Sequence, residues 1–211
     1  MNINILTDNS NSWFVPYGKI LQQKITDLGH KVDYVFSKND LGRADLTFLL
    51  SCSRIVDRQF LDRSKRNVVI HASDLPKGKG FSPLQWQILE GKDSIVLTAL
   101  EAADAVDAGP IYFKRVMRLN GTELYKELRE KLAWTIIEMA SYLVDNVDSL
   151  KPVKQEGEES FYPKRTNVDD MLDPNKSILE HFNHFRIADN ENFPLYFYHK
   201  GEKFYLRIEK K

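Results

Sequence analysis

A histidine at the end of an apolar run is the first residue whose surroundings suit catalysis. His71 closes the run 67–70, and a loop rich in proline and glycine follows at once. The carboxyl end of a strand is where open α/β sheets present catalytic groups. Because histidine exchanges protons near neutral pH, His71 is a candidate general base. A buried histidine with satisfied hydrogen bonds is the alternative that the residues leave open.

A short acidic turn further along the chain offers this histidine a partner. Asp107 lies in the segment 103–111, just before a β-rich run. An aspartate here could orient the imidazole of His71 and stabilise its protonated form, as the third member of a catalytic triad does. Aspartate also suits a tight connection, so a purely structural role stays open.

Short apolar runs alternate with helix-like stretches in the first part of the chain. An apolar-periodic helix is expected over residues 17–28. The β-rich runs cover residues 3–6, 31–36, 45–50, 67–70, 94–100 and 111–117. This β-α-β rhythm predicts an α/β, Rossmann-like fold with a mostly parallel sheet, helices on both faces and ligands beyond the carboxyl ends of the strands.

Two later helices have recognisable starts. Ser82 is placed to cap a helix that begins at Pro83 and ends near Gly91, with Gln85 reaching back to the cap amide. A long helix is expected from about Thr122. Its apolar residues recur every three or four positions and form a face for the sheet, namely Leu124, Leu128, Leu132, Ile136, Met139 and Leu143.

Residues 1–150 are expected to form the catalytic domain, and residues 151–211 a C-terminal extension. The boundary is placed after Leu150 because the charged run that follows has two prolines and no usable period. A capping box at 177–180 predicts a short helix, whose apolar face would be Ile178, Phe182 and Phe185.

The chain is expected to end in a β-hairpin. Residues 193–198 and 203–208 alternate in strand fashion about a turn that contains Gly201. A hairpin is only marginally stable alone, so it must pack on the core or on a second subunit. Its aromatic density favours contact with a second copy, and we therefore expect a homodimer.

The composition argues against several classes of protein. The 211 residues carry 30 basic and 30 acidic side chains, and this neutral balance does not favour nucleic acid as a partner. No apolar run approaches the roughly 20 residues of a membrane span. A single cysteine, Cys52, and a start without a signal-peptide pattern favour the cytoplasm. His181 and His184 lack a third ligand nearby, so no metal site is expected.

Together these residues resemble the N10-formyltetrahydrofolate-dependent formyltransferases, which act on methionyl-tRNA, glycinamide ribonucleotide or amino sugars. The family signature reads N-x-H-x-S-x-L-P with a glycine loop, then D-x-G-x-I. The matching positions are His71, Ser73, Leu75, Pro76, Gly80, Asp107, Gly109 and Ile111. The resemblance spans roughly residues 1–145. It implies a formyltransferase fold, a folate co-substrate, and His71 and Asp107 as catalytic residues.

One position departs from that signature. Val69 replaces the family's asparagine, whose amide holds the formyl oxygen in an oxyanion contact; losing such a contact can cost about 10²–10³ in rate. Asn67 lies four residues from His71, roughly 13 Å along a strand, and is too far to substitute. Protonated His71, Ser73, a backbone amide or a water would take the role, or the chain is an inactive paralogue. Because the other motif positions are intact, we expect an active enzyme.

The resemblance also implies binding residues. Backbone groups of the loop 51–54 would hydrogen-bond the pterin-like ring, and Leu75 would add apolar lining. The residues implied on the folate side are Ser51, Cys52, Ser53, Arg54, Leu75 and Asp104. Cys52 could equally be a small buried hydrophobe. On the acceptor side, amides, a stacking surface and cations would bind a nucleotide sugar; these residues are Asn9, Asn11, Trp13, Ser73, Lys77, Gly78, Lys79, Gly80, Arg165 and Arg186. A surface turn and solvated cations are the alternatives.

The C-terminal run after Tyr162 is similar to the tail of bacterial sugar N-formyltransferases. The acceptor implied is the 4-amino group of a nucleotide-linked, UDP-type 4-amino-4,6-dideoxy sugar, as in pseudaminic-acid-related enzymes. Formylation of methionyl-tRNA or a purine precursor is one alternative. A folate- or nucleotide-sugar-binding module without catalysis is another.

Overall fold

The computed structural model of the protein describes residues 1–211 and contains ten strands and five α-helices. The strands are β1 (Asn2–Leu6), β2 (Lys31–Val35), β3 (Ala44–Leu49), β4 (Ser64–His71), β5 (Lys79–Gly80), β6 (Ser94–Glu101), β7 (Ile111–Arg118), β8 (Phe161–Tyr162), β9 (Leu195–His199) and β10 (Glu202–Leu206). The helices are α1 (Val15–Asp27), α2 (Arg58–Leu61), α3 (Pro83–Leu89), α4 (Tyr125–Asn146) and α5 (Phe182–Ile187). Two 3₁₀ turns cover Lys38–Asp40 and Asn167–Asp170.

The central sheet has six strands in the order β2-β1-β3-β4-β6-β7. The pairs β1–β2, β1–β3 and β3–β4 are parallel, whereas β4–β6 and β6–β7 are antiparallel. Only β6 therefore runs against the other five strands, and the predicted α/β fold with a mostly parallel sheet is confirmed. The order reverses between β1 and β3, and ligands bind at such a switch point in open α/β sheets.

One face of this sheet carries the main hydrophobic core. The long helices α1 and α4 pack against it, and buried residues of both helices meet the strands, including Leu21, Ile25, Ile137, Leu143 and, from the sheet, Phe48. The expected apolar face of α4 is confirmed, with Leu128, Ile136, Met139 and Leu143 buried. Burying such a face stabilises a helix far more than its intrinsic propensity does.

The opposite face is covered less completely than expected. Its cluster is small, and the four-residue helix α2 supplies the helical cover. The cluster comprises Leu6, Leu41, Leu49, Val56, Phe60 and Leu61, with Val69 packed against it. This sparse cover leaves the carboxyl ends of β3 and β4 open to a cleft.

Two predicted helix starts differ from the structure. Ser82 precedes α3 as predicted, but its φ of 51° is left-handed and its side chain makes no capping bond. A capping serine needs an extended backbone, so that part of the prediction is wrong. The capping box at Ser177 forms, since Ser177 N donates to Glu180 Oε2 at 2.8 Å, yet α5 begins only at Phe182. Ile178 is consequently 72% exposed and lies on no apolar face.

The chain after α4 runs back over the central domain. Val153 bridges to Ile111, and β8 pairs with β5 in the loop after β4. Ile187 of α5 joins the main core. The predicted hairpin is confirmed, with β9 and β10 joined through Lys200 and Gly201. No helix combines the length and apolar character that a bilayer crossing requires.

Candidate active site

A cleft of about 460 Å³ opens at the carboxyl ends of β1, β3 and β4. The loops after these three strands, the end of β6 with the loop that follows it, and one side of α4 line the cleft. Its walls are mostly apolar, with a few polar groups, as in small-molecule sites of this size. The lining includes Trp13, Ser51, Cys52, Ser53, Arg54, Val69, His71, Gly80, Glu101, Asp107 and Arg129.

His71 is buried at the end of β4, and both of its ring nitrogens face a polar group. Nε2 lies 2.8 Å from the carbonyl oxygen of Gly78. Because a carbonyl only accepts, Nε2 is the nitrogen that carries the hydrogen in the neutral ring. Nδ1 therefore holds the lone pair, and it lies 3.4 Å from Oδ2 of Asp107. The structure thus brings the two proposed catalytic residues together.

Asp107 is held in place by backbone and side-chain contacts. Its Oδ2 accepts from Gly80 N at 2.9 Å. Its backbone has a φ of 51°, a left-handed conformation that aspartate adopts more readily than most residues. The side-chain amide of Gln155 donates to the carbonyl oxygens of Asp107 at 2.7 Å and Gly109 at 2.8 Å. The turn is therefore fixed from the C-terminal segment.

Two glycines shape the loop that contacts this pair. Gly78 and Gly80 have φ values of 74° and 99°, a region that favours glycine. A Cβ on Gly78 would lie 2.8 Å from a ring carbon of Tyr162, and one on Gly80 would lie 2.5 Å from the Tyr162 carbonyl oxygen. Ser160 Oγ accepts from Gly78 N at 2.9 Å. Residues 155–162 thus hold in place both the glycine loop after β4 and the turn that carries Asp107. The aperiodic sequence of this segment did not indicate that role.

Val69 places an apolar side chain in the cleft two residues before His71. Asn67 cannot compensate, because its buried side-chain amide donates to the carbonyl of Leu61 at 2.9 Å. Ser73 is buried and lies outside the cleft lining, with no hydrogen-bond partner for its hydroxyl. Of the side chains suggested as replacements for the asparagine, His71 alone lines the cleft.

Comparison with known proteins identifies the family of this chain. Residues 17–139 match the model of the formyl transferase family. The chain belongs to the formyl transferase family. A methionyl-tRNA formyltransferase of Francisella philomiragia is 28% identical over 145 residues, which are 68% of this chain and 46% of that protein. The chain therefore spans about half the length of that curated relative.

Solved formyltransferases share the fold along almost the entire chain. A methionyl-tRNA formyltransferase from Clostridium thermocellum superposes with a TM-score of 0.80 at 23% identity, covering 96% of this chain and 90% of that one. A 4-N formyltransferase from Francisella tularensis gives a TM-score of 0.74 at 18% identity, covering 100% of this chain and 98% of that one. At these identities the similarity establishes the fold alone.

The loop predicted to contact folate does line the cleft, but two of its backbone amides already have a partner within the protein. Asp8 Oδ2 accepts from the backbone nitrogens of Ser53 and Arg54, each at 2.7 Å. Those two groups are not free for a pterin-like ring. Asp8 was missed, although its place directly after β1 could have indicated it.

Cys52 behaves as a small hydrophobe rather than as a reactive thiol. Its sulfur lies 3.4 Å from the carbonyl oxygen of Leu6, and it packs against the smaller core cluster. Burial, reinforced by the nearby Asp8 carboxylate, raises the pKa of Cys52 to about 12. The thiol therefore stays protonated at neutral pH, in line with the structural alternative.

Three residues assigned to ligands lie elsewhere. Leu75 is fully buried and does not line the cleft, and Asp104 is exposed outside it. Lys79 is also buried, and its Nζ lies 2.6 Å from Glu159 Oε1. A lysine already paired inside the fold is not available to a diphosphate, so the expectation for Lys79 is corrected.

The two C-terminal arginines are also paired within the protein. Arg165 forms an ion pair with Asp170, and both side chains are largely buried. Arg186 Nη2 lies 3.2 Å from Glu123 Oε2, and its Nε donates to the carbonyl oxygen of Glu123. Neither arginine lines the cleft. Sequence reasoning recognised their charge but not their partners.

The turn after β1 contributes one of its three predicted contacts. Trp13 lines the cleft, whereas Asn9 and Asn11 are exposed beyond it and bond to each other through Asn11 N and Asn9 Oδ1 at 2.9 Å. Lys77 is exposed and also lies outside the lining. The polar turn is thus mainly a structural turn with an aromatic side chain facing the cleft.

Two charged residues of the cleft were missed. Glu101 accepts from Asn67 N at 2.6 Å and from the Tyr112 hydroxyl, and burial raises the pKa of its carboxyl although these bonds favour the ionised form. Arg129 projects from α4 between two aromatic rings. It directly follows Leu128 and lies off the apolar stripe of α4, so hydrophobic periodicity gives no signal for it.

Proposed function

We propose that this protein is a cytoplasmic enzyme that transfers a formyl group from N10-formyltetrahydrofolate to the 4-amino group of a nucleotide-linked, UDP-type 4-amino-4,6-dideoxy sugar. The observation that carries the proposal is the contact of His71 Nδ1 with Asp107 Oδ2, 3.4 Å apart in the cleft of a formyl transferase. A buried histidine and carboxylate at this edge of the sheet form a proton acceptor with a stabilising anion.

The lining of the cleft fits a folate. Val56, Val69 and Leu100 provide apolar walls of the kind a flat ring requires, and the loop from Ser51 offers polar groups at one side. Arg54 is an exposed cation at the same side, suited to a carboxylate. When bound there, the co-substrate would supply a formyl carbon whose bond to N10 breaks as a bond to the acceptor nitrogen forms.

His71 would accept the proton that the acceptor amine loses. Since Nε2 donates to Gly78, Nδ1 is the nitrogen that can take this proton. The 3.4 Å separation from Asp107 exceeds the about 2.7–2.9 Å of a charged hydrogen bond, so protonation of Nδ1 would draw the two groups together. The proton would then pass to N10 of the leaving tetrahydrofolate. This differs from a serine-protease triad, in which the nitrogen away from the aspartate takes the proton.

The acceptor is the less constrained half of the proposal. The 4-N formyltransferase from Francisella tularensis has the same fold over the full length of this chain, hairpin included. The curated relatives support the second candidate, formylation of methionyl-tRNA. The equal numbers of acidic and basic residues speak against that candidate, because tRNA binding relies on displacing counterions with basic side chains.

Mass spectrometry of the acceptor tests the proposal directly. The purified protein is incubated with N10-formyltetrahydrofolate and a panel of UDP- and dTDP-linked 4-amino-4,6-dideoxy sugars. We expect one sugar to gain the mass of one carbonyl group, and a His71→Ala sample serves as the matched blank. Transfer to methionyl-tRNA in a parallel reaction, or to a purine precursor, would instead select those alternatives. Binding of both ligands with no transfer to any amine would select the non-catalytic binding module.

We also propose that the protein is a homodimer formed through the hairpin. Phe193, Tyr198, Phe204 and Tyr205 of this region are each about half exposed or more. These exposed aromatic side chains stand on both faces of the hairpin, and aromatic residues of this kind are enriched at protein interfaces. Sedimentation of the wild type should give twice the mass of Phe204→Glu/Tyr205→Glu, and a monomeric wild type would contradict the proposal.

A further inference from the structure

Arg129 is the one arginine of the cleft that is packed between aromatic rings. Its guanidinium carbon lies 4.0 Å from the centre of the Tyr125 ring and 5.2 Å from that of Trp13. Ring faces stabilise a cation without supplying a hydrogen-bond acceptor. The two rings therefore hold the guanidinium in place and leave its N–H groups unused.

No carboxylate of the protein neutralises this guanidinium. Arg129 takes part in no ion pair, in contrast to the buried arginines Arg165 and Arg186. Asp189 is the carboxylate whose charge influences it, and the oxygens of Asp189 already accept from the backbone of Glu191 and from Asn192. Burial lowers the pKa of Arg129, partly offset by Tyr125 and Asp189, yet the group stays charged at neutral pH.

The free donors of Arg129 face the cleft. The residue lines it together with Leu132 and Ile136 of the same helix and with Trp13. None of its nitrogens is a buried atom without a partner, so they are reached from the cleft rather than sealed in the core. A planar fork of N–H groups at an apolar wall is suited to two oxygens of one anion.

We propose that Arg129 binds an oxyanion, phosphate or carboxylate, of a ligand held in the cleft. The inference rests on the proposed function, which supplies two sources: the diphosphate of a nucleotide sugar and the carboxylate tail of the folate. The geometry favours the diphosphate. Trp13, against which Arg129 packs, belongs to the turn expected to contact the acceptor, while Arg54 lies beside the loop expected to contact folate.

Calorimetric titration of the full chain with UDP and, separately, with tetrahydrofolate tests the inference without requiring turnover. The variants are Arg129→Ala, Arg129→Lys and Arg118→Ala, the last an exposed arginine outside the cleft lining. We expect Arg129→Ala to weaken one ligand about tenfold or more, as a charged hydrogen bond warrants, with Arg129→Lys intermediate and Arg118→Ala unchanged. Weaker UDP binding identifies the phosphate, and weaker tetrahydrofolate binding identifies the carboxylate.

The outcomes separate this inference from the proposed function. If both ligands bind Arg129→Ala as they bind the wild type, the inference is overturned and the proposed function stands. If a ligand depends on Arg129 but no amine is formylated, the inference stands and the proposed function fails. If the wild type binds neither ligand, both are overturned. Thermal melting of each variant shows whether lost binding reflects lost folding, and Arg129→Gln provides a second neutral variant.

Discussion

The C-terminal segment and the cleft use their buried cations in opposite ways. In the segment, Arg165 meets Asp170 and Arg186 meets Glu123. In the cleft, Arg129 meets two aromatic rings and no carboxylate. A charge that is paired inside the fold contributes to holding elements together, whereas an unpaired one keeps its donors for a ligand. The partner of a cation, and not its residue type, therefore separates structural from ligand-binding roles here.

The same contrast between paired and unpaired groups applies to the polar groups around His71 and Asp107. Gln155 and Ser160 of the C-terminal segment satisfy the backbone of the two loops, at Asp107, Gly109 and Gly78. His71 Nδ1 is left with a long contact to one carboxylate. The segment thus uses these polar groups to hold the two loops, and the cleft retains groups that can still react.

The largest effect is expected from removing His71 or Asp107, the proposed catalytic pair. His71→Ala and Asp107→Ala should each lower kcat/KM by about 10²–10⁴, because the proton acceptor or its stabilising anion is lost. Both variants should still fold, since neither side chain belongs to the hydrophobic core clusters, although each change removes a buried hydrogen-bonding group. Assays of formyl transfer and circular dichroism check this, with the exposed His199→Ala as a control. Near-normal turnover in either variant would remove the assigned roles.

The second prediction sharpens the contrast between paired and unpaired arginines. Arg186→Ala should lower the free energy of unfolding by about 1.5–3 kcal/mol, because it removes a buried charged hydrogen bond while Lys131 and the backbone still hold the Glu123 carboxylate. Arg129→Ala should lower it by only about 1 kcal/mol, the contribution of its cation–π contacts.

Urea titration measures both losses of stability. Arg207→Ala, which breaks an exposed pair with Glu191, should cost less than about 1 kcal/mol and serves as the surface control. Equal losses for Arg186→Ala and Arg129→Ala would mean that the cleft arginine is structural after all, and the contrast would collapse.

Acid should weaken the paired region selectively. Burial alone would raise the pKa of Glu123, but hydrogen bonds from Lys131 and from the backbone outweigh it and lower this pKa to about 2, from an ordinary value of 4.5. A depressed pKa contributes stability that is complete above pH 4.5 and is lost as the pH falls towards 2. The free energy of unfolding should therefore decline in that window. Glu123→Gln should flatten the decline, and an unaltered slope in that variant would contradict the assignment.

Much of the fold was predictable because its signals are local and periodic. The alternation of β-rich runs predicted the six-stranded sheet, and the stripe from Leu128 to Leu143 predicted the buried face of α4. Ser82 and Ile178 were predicted wrongly, since a capping residue and an apolar residue depend on backbone angles that residue type does not determine.

The candidate site was predictable where residues at strand ends match the two-part motif of a family, although its two parts lie far apart in the chain. His71 and Asp107 were found in this way. The partners of Lys79, Arg165 and Arg186 were not, because an ion pair such as Lys79 with Glu159 joins positions that are distant in the chain. Arg129 was missed for a related reason, as its lack of a partner is visible only once every neighbour is placed.

Substitution of Val69 tests whether the cleft only lacks an amide for the formyl oxygen or has a rearranged site that does not need one. Val69→Asn should leave kcat/KM unchanged or raise it, by at most about 10²-fold, because an amide there could hold the formyl oxygen. Steady-state kinetics of the variant are compared with Val69→Leu, which changes shape without adding a donor. A severe loss in a folded Val69→Asn protein would mean that the valine belongs to a rearranged site.

The smallest effect is expected from changing Ser73. This residue shows whether a polar group without a partner binds a ligand or is only an unsatisfied group in the protein interior. Like Arg129, its hydroxyl has no partner, but it is buried away from the cleft and no ligand can reach it. Ser73→Ala should therefore leave turnover unchanged and raise the free energy of unfolding by up to about 1 kcal/mol, since it removes an unsatisfied polar atom. Ser141→Ala is the matched control, because Ser141 Oγ donates to the Ile137 carbonyl oxygen at 2.8 Å and its loss should not stabilise the protein. A raised KM for the acceptor in Ser73→Ala would instead place this hydroxyl in the binding site. A polar side chain without a hydrogen-bond partner would then indicate ligand binding even where the side chain does not line the cleft.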